Sequence, residues 1–349
     1  MPCRRSSGEE ATPEGGVRLP SERAPGAIRG LLFSERGNEV RRYGFLASLA
    51  SLAAAASLAL AACGQTTQAQ GPIHLTDDAG THIVLKQPVN RIISLGPSNT
   101  EILLALGLKK DIVGIDNESV QYSPAPYQSE AKGLTEVGDS YTGLDMEKVI
   151  AIKPQLILAI PGAANLGQFK SLKLRYAMMN PTSVQGIYKD IRFIGAATGH
   201  GSRAAALIAK MKSQLTAIHK AVASLPKPSI YVELDPKQFY TAGPGSFLDG
   251  LVTMAGGRNI ADKITHLAYP ALSAESIIVA NPQAIVLLDV PYTSVKAVDS
   301  RPGWSQISAV KSGRVYGNID PSLLSEPSPV IVQGVRELAR DLHPGVKIP

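Results

Sequence analysis

Cysteine is nearly absent from this chain. Two occur in 349 residues, Cys3 and Cys63, too few for a disulfide scaffold or a cysteine-based zinc site. Histidine is thin as well: His74, His82, His200, His219, His266 and His343 are scattered without the short spacing that metal ligands need, so direct metal capture is not expected. Aromatic residues make up only 5% of the sequence, and no basic run is interleaved with them, which removes nucleic acid as a partner. A formal charge of +6 looks basic, but residues 1–62 hold eight Arg and six Glu; the remaining 287 residues carry 27 Lys+Arg against 23 Asp+Glu, a net of +4. Scattered charge of that size describes an ordinary solvated surface. Neither a Gly-x-Ser-x-Gly elbow nor an HExxH pattern is present, so hydrolytic catalysis is not expected.

What is present begins with an address. Arg41 and Arg42 precede an uncharged run over residues 43–62, and a basic flank, an apolar run and small closing residues are the parts of an export signal. The run ends in Leu60-Ala61-Ala62-Cys63-Gly64, which resembles the bacterial lipobox. That resemblance implies cleavage before Cys63 and a diacylglycerol thioether on its sulfur, leaving no free thiol. A run of about 20 residues is also long enough to span a bilayer. Alanine contributes little to insertion, however, and the polar tract Gln65–Gln70 follows at once. Residues 1–40, rich in Arg, Glu, Gly and Pro, show no apolar period and read as an extension without a core. The expected divisions are therefore 1–62 as extension and signal, then 63–72 as polar linker.

Beyond the linker, short apolar runs alternate with helical patterns. Alternation around Asp77-Asp78-Ala79-Gly80 predicts a β-hairpin. Strands are expected at Arg91–Leu95, Ile112–Ile115 and Leu156–Ile160. A helix is expected from Pro97, capped by Ser98 or Asn99 and stopped at Gly107, and another over Asp145–Ile152. A second unit repeats the scheme, with strands at Ser229–Glu233 and Ala284–Leu288 and helices at Phe247–Ala255, Ser273–Ala280 and Val330–Leu342. This order argues an α/β protein of two lobes, each with a mainly parallel sheet flanked by helices. Helical stretches Ser183–Thr198 and Ser202–Ser224 lie between, the second long enough to run beside both lobes. The lobes are expected at 73–182 and 226–349, with 183–225 connecting them.

Several segments, in this order and spacing, resemble the cobalamin and ferric-siderophore binding proteins of bacterial ABC importers. They are Arg91-Ile92-Ile93-Ser94-Leu95-Gly96-Pro97-Ser98-Asn99-Thr100-Glu101, Gly143-Leu144-Asp145-Met146-Glu147 running on to Lys153-Pro154, and Gly243-Pro244-Gly245-Ser246-Phe247-Leu248-Asp249 leading to Gly256-Gly257-Arg258-Asn259. Tyr269-Pro270-Ala271-Leu272-Ser273-Ala274-Glu275, Asn281-Pro282-Gln283 and Arg301-Pro302-Gly303-Trp304 follow. The likeness covers about Asn90 to His343. It implies two lobes joined by one long rigid helix, small closure on binding, and a monomer tethered through Cys63 to the outer face of the cytoplasmic membrane. It also implies that a chelate (cobalamin or ferric siderophore, alternatively haem) is bound and delivered to permease subunits, with no cofactor of the protein's own. An exported hydrolase or an adhesin are the lesser readings.

By position in that family, Glu147 and Glu275 are the permease-docking residues; the blander role of each is a favourable charge in the first turn of a helix. Tyr141, Tyr240 and Tyr269 match the aromatic lining of the interlobe cleft. Tyrosine gives a macrocycle a flat apolar face and its edge a hydroxyl, and it also ligates haem iron. Tyr122, Tyr292, Arg301 and Trp304 are further candidates, Arg301 as partner of an anionic chelate and Trp304 as a core or lid residue. Gly243–Ser246, ahead of a helix, offers a possible phosphate cradle.

Overall fold

The computed structural model describes residues 71–289 and 293–349. The signal, the lipobox with Cys63, and Tyr292 lie outside the described residues.

The chain opens with the hairpin β1 (Ile73–Thr76) and β2 (His82–Leu85), antiparallel with Thr76 opposite His82. Asp77 closes it by accepting from the backbone N–H groups of Ala79 and Thr81 and, with its other oxygen, from Met178 at 2.9 Å. One carboxylate thus makes the turn and fastens it to the first sheet.

That sheet contains β3 (Ile92–Ser94), β4 (Ile112–Ile115), β7 (Leu156–Ala159) and β8 (Tyr176–Met178), all parallel, in the order β4-β3-β7-β8. A small ribbon, β5 (Gly138–Asp139) and β6 (Gly143–Leu144), stands outside it. Parallel strands connect through crossovers that cover both faces, and the side chains divide accordingly. Ile92, Leu158 and Ala177 enter one core; Ile93, Ile157 and Ala159 enter another with Val137, Val149 and Phe169.

The second sheet contains β9 (Ser229–Glu233), β10 (Arg258–Asn259), β11 (Ala284–Leu287) and β12 (Val315–Tyr316), again all parallel, in the order β10-β9-β11-β12. In chain order both sheets read second, first, third, fourth strand. The likeness reaches single hydrogen bonds. Gln155, before β7, takes the backbone N–H of Arg91 and donates its own N–H to Arg91 O; Gln283, before β11, does the same with Ser229. Each of these glutamines follows a proline, and each proline follows a seven-residue helix ending on a left-handed residue, Lys153 or Asn281.

Helix Gly201–Val222 joins the two halves. Its 22 residues span about 33 Å at 1.5 Å each. Ala204, Ile208, Met211, Leu215, Ile218 and Val222 recur at three- and four-residue steps and are all buried. They belong to one continuous core holding Ile92 and Leu158 of the first sheet, Ile230 and Val286 of the second, and Val335 and Leu338 of the closing helix Ile331–Leu342. Apolar packing along the whole helix resists wide hinging, because opening would strip that stripe of its neighbours.

One boundary differs from expectation. The helix Pro97–Ala105 starts a residue before either expected cap: Gly96 is its N-cap, with no side-chain cap bond, and Pro97 stands in the first turn. Asn99 Nδ2 instead donates to Leu95 O at 2.8 Å. Proline needs no N–H partner there, and Gly96 at φ 88° takes a turn that a side chain would resist. Among the described residues, no helix is long and apolar enough to cross a membrane.

Candidate functional site

In an open parallel sheet, chain order reverses where the first strand neighbours the third, and the crevice outside the carboxyl ends there receives ligands. The pairs are β3 with β7 and β9 with β11. The loops leaving them are Leu95-Gly96-Pro97 and Ile160-Pro161-Gly162 on one side, and Leu234 onward and Leu288-Asp289 on the other.

Tyr122 and Tyr141 follow β4 in the chain, Tyr240 follows β9 and Tyr269 follows β10. Tyr141 tips the β5–β6 ribbon, held by Asp139, which accepts from the backbone N–H groups of Tyr141 (2.9 Å) and Thr142 (2.7 Å). Its ring lies over Gly162, where an added Cβ would come 3.8 Å from it. Tyr122 ends the helix Asn117–Gln121 that follows β4. Across the molecule, Tyr240 and Tyr269 lie on two paired segments: Tyr240 bridges Ala271 antiparallel, Thr241 N donates to Pro270 O, and Gly243 N donates to Ala268 O. All four rings are exposed, from 39% at Tyr240 to 59% at Tyr141, while the other described tyrosines (Tyr127, Tyr176, Tyr188, Tyr231 and Tyr316) are buried or half-buried. Leu267, 65% exposed, lies on the same segment as Tyr269. Partial desolvation of these otherwise exposed side chains shifts the hydroxyls of Tyr141 and Tyr269 upward, and at Tyr141 nearby carboxylates add to it.

Two candidates belong to the core instead. Trp304 is 1% exposed, packed edge-on against Tyr231 at 6.1 Å and tilted against Phe239 at 5.6 Å. Its indole is enclosed and cannot line a cleft. Arg301 is already committed: both terminal nitrogens donate to Glu233, at 2.5 and 2.8 Å, and its guanidinium lies 4.5 Å from the Trp304 ring. Glu233 is fully buried, so releasing Arg301 to an anionic ligand would strand a charge in the interior. The turn Gly243–Ser246 is likewise occupied: Ser246 Oγ accepts from Asp249 N, and Asp249 Oδ2 accepts from Gly245 N, leaving these donors unavailable to a phosphate.

Glu147 and Glu275 are exposed at the second position of their helices. Asp145 caps the first through Lys148 N at 3.0 Å, and Ser273 caps the second through Ser276 N at 3.1 Å. The caps satisfy the backbone without either glutamate, which leaves both side chains free at matching places of the two halves.

The pattern of the sequence did not reveal a set of acids at the junction of the halves. Asp116, just beyond β4, accepts from Gly96 N (2.6 Å), Ser119 Oγ (2.5 Å) and Ser140 Oγ (2.5 Å). Glu118 accepts from Ser140 N at 3.2 Å, and burial raises its carboxyl to about 7. Glu101 is wholly buried and accepts from Ser328 Oγ, joining the helix after β3 to the segment after β12. Glu326, on that same segment, is raised to about 7, again by burial first. An acid directly after an apolar strand was the available signal, as in Ile112-Val113-Gly114-Ile115-Asp116, but nothing marked Glu326 as its neighbour.

Burial lifts Glu101 from 4.5 to about 8, so it is protonated at neutral pH. The folded protein holds this proton more tightly than the unfolded chain, so the associated stability is complete below about 4.5 and is lost as pH rises through about 8. The melting temperature should therefore fall between pH 5 and pH 8.5, and fall less in Glu101→Gln, whose amide does not ionise. Parallel pH profiles for the two proteins would assign the loss to other groups.

A recess of about 480 Å³ lies elsewhere, lined by Tyr188, Lys212, Leu215, His219 and Met254. None of the aligned tyrosines borders it. Among the described residues, no group of three or more His, Cys, Asp or Glu is placed to hold a metal ion.

Comparison with known proteins agrees with the fold. The family model for periplasmic binding proteins matches residues 92–320. An uncharacterized ABC transporter substrate-binding lipoprotein of Bacillus subtilis is 33% identical over 283 residues, covering 78% of this chain and 86% of that protein. A cobalamin-binding protein of Halobacterium salinarum is 28% identical over 284 residues, covering 78% and 74%. A solved structure of a possible iron-binding periplasmic solute-binding protein of Staphylococcus epidermidis superposes with a TM-score of 0.65 at 29% identity, covering 74% of this chain and all of that one.

Proposed function

The chain belongs to the periplasmic binding protein family, and from that premise we propose that it is the extracytoplasmic binding component of an ABC importer for a metal chelate. The observation that carries the reading is the placement of the exposed tyrosines. They lie on segments that follow strands of two sheets of identical strand order, and ligands of such sheets bind outside the carboxyl ends of the strands. Flat, amphipathic rings suit a large chelate with an apolar face and a polar edge. Cobalamin and ferric siderophores fit this description, and the Halobacterium salinarum relative is named for cobalamin. Haem is the second reading, since tyrosine ligates its iron.

Delivery rests on Glu147 and Glu275, which offer one exposed carboxylate from each half to basic sockets on two permease subunits. The run before Cys63, its small residues and the lipoprotein relative support export and lipid anchoring at the outer face of the cytoplasmic membrane. The protein acts as a monomeric carrier and catalyses no reaction.

Thermal melting with cyanocobalamin, haem and several ferric siderophores tests the reading. A ligand held at 100 times its Kd should stabilise the fold by about 2.7 kcal/mol, and the rise should shrink in Tyr141→Ala and Tyr269→Ala. A shift that survives both substitutions would move the site away from the tyrosines. No shift with any chelate would turn attention to adhesion or hydrolysis.

A further inference from the structure

The acids at the junction bear on which chelates can enter. Resting on the chelate-binding reading, we propose that the cleft selects by charge: it accepts a chelate whose periphery is neutral or cationic, carrying amide N–H or ammonium groups, and rejects one bearing carboxylates.

The geometry around Tyr141 carries the argument. The charged groups acting on its ring are Glu326, Glu118, Asp116 and Asp139, every one a carboxylate. Asp139 holds the backbone of Tyr141 itself, and Glu118 and Asp116 hold the adjoining Ser140. Glu326 reaches the same place from the second half, eased only by the backbone N–H of Ser98 and opposed by Asp116. None of these acids has a cationic partner. Among the described residues the ion pairs are Lys189–Asp78 and Arg301–Glu233, and neither involves them.

The other crevice shows an independent sign of the same field. Asp289 follows β11 at its carboxyl end, is 6% exposed, and neither of its carboxylate oxygens has a hydrogen-bond partner among the described residues. Arg301, the cation acting near it, is saturated by Glu233. One positive charge therefore faces two negative ones, and the excess is negative.

Carboxylates that lack counter-ions repel a further anion, most strongly where burial lowers the local dielectric. Where ionised they accept hydrogen bonds and donate none, so an amide N–H or ammonium edge then finds partners that a carboxylate edge does not. Glu118 and Glu326, both raised to about 7, gain their charge as pH passes through neutrality. The groups facing Glu118 are Asp116, Asp139 and Ser140; those facing Glu326 are Asp116, Ser98, Glu101 and Tyr141. Discrimination should therefore rise between pH 6 and pH 8.

Two matched sets of probes isolate charge from shape. One is cyanocobalamin with its monocarboxylic acid, in which a single side-chain amide has been hydrolysed. The other is ferrioxamine B, with its free ammonium, beside its N-acetyl and N-succinyl derivatives, which are neutral and anionic. Titration of the full-length chain in non-ionic detergent should show the carboxylate member binding about tenfold more weakly, a difference of about 1.4 kcal/mol. In Glu118→Gln and Glu326→Gln the ratio between members should narrow, whereas a merely structural role would weaken all members alike. Equal binding of the members, tighter binding of the anion, or an unchanged ratio in both variants would overturn charge selection while leaving chelate binding in place. If no member of either set binds, and haem does not, the chelate reading falls and this inference with it.

Discussion

With Glu147 and Glu275 both changed to Ala, the chain will bind its chelate as before and will fail to deliver it. The two side chains are exposed, and Asp145 and Ser273 close the helix termini without them. The fold should therefore lose only the favourable charge of each first turn, about 0.3–1 kcal/mol apiece. A docked carboxylate removed from a basic socket costs far more, because the abandoned cation stays desolvated; about 2–5 kcal/mol is usual for such pairs. Uptake by cells or by importer-containing vesicles should fall at least about tenfold, with each single variant between the double variant and the parent. Loss of chelate affinity in the double variant would remove these residues from the docking surface and put them in the site. Unchanged uptake would restrict them to their helices.

Trp304→Ala will be the most destabilising single substitution proposed here. The indole is 1% exposed and touches Tyr231, Phe239 and the guanidinium of Arg301. Truncating a buried tryptophan costs about 3–5 kcal/mol, a large share of the about 5–15 kcal/mol that keeps a domain folded. Part of the loss passes through Arg301, whose stacking on the indole helps hold its two bonds to the buried Glu233. The melting temperature should drop by about 5–9 °C, while the fraction still folded binds chelate with the parent affinity. The opposite pattern, weaker binding at an unchanged melting temperature, would return Trp304 to the ligand site.

That contrast shows what a pattern of residues conveys. Arg301 and Trp304 stand in one short motif, the first expected to meet an anionic chelate and the second to be a core or lid residue; Arg301 is paired internally and Trp304 is in the core. Exposure depends on which face of β9 and β11 the motif packs against, and residues some 70 positions earlier in the chain decide it, Tyr231 and Glu233 among them. The tyrosines were more legible. The resemblance to a known family singled out Tyr141, Tyr240 and Tyr269, with Tyr122 a further candidate, and all four are exposed.

The alternation of apolar strands and periodic helices was enough to place nearly every large element, because hydrogen bonding and burial of one face are settled within a few residues. Ser229–Glu233 and the stripe from Ala204 to Val222 are read directly in that way. Very short strands such as Arg258–Asn259 and Val315–Tyr316 were not legible, since two residues carry no period and owe their state to the neighbour they pair with. The acids of the junction are the extreme case. Glu101 and Ser328 are 227 positions apart, and the charge of Glu326 acts on Asp116 and Tyr141, some 200 positions earlier in the chain, only through the packing of the two halves. By itself, the sequence determined the two sheets and the helix between them through local pattern, and the family and its candidate tyrosines through the order and spacing of motifs along the chain. Tertiary structure alone decided the charge of the cleft, because an electrostatic field sums over whatever space brings near, whatever the distance along the chain.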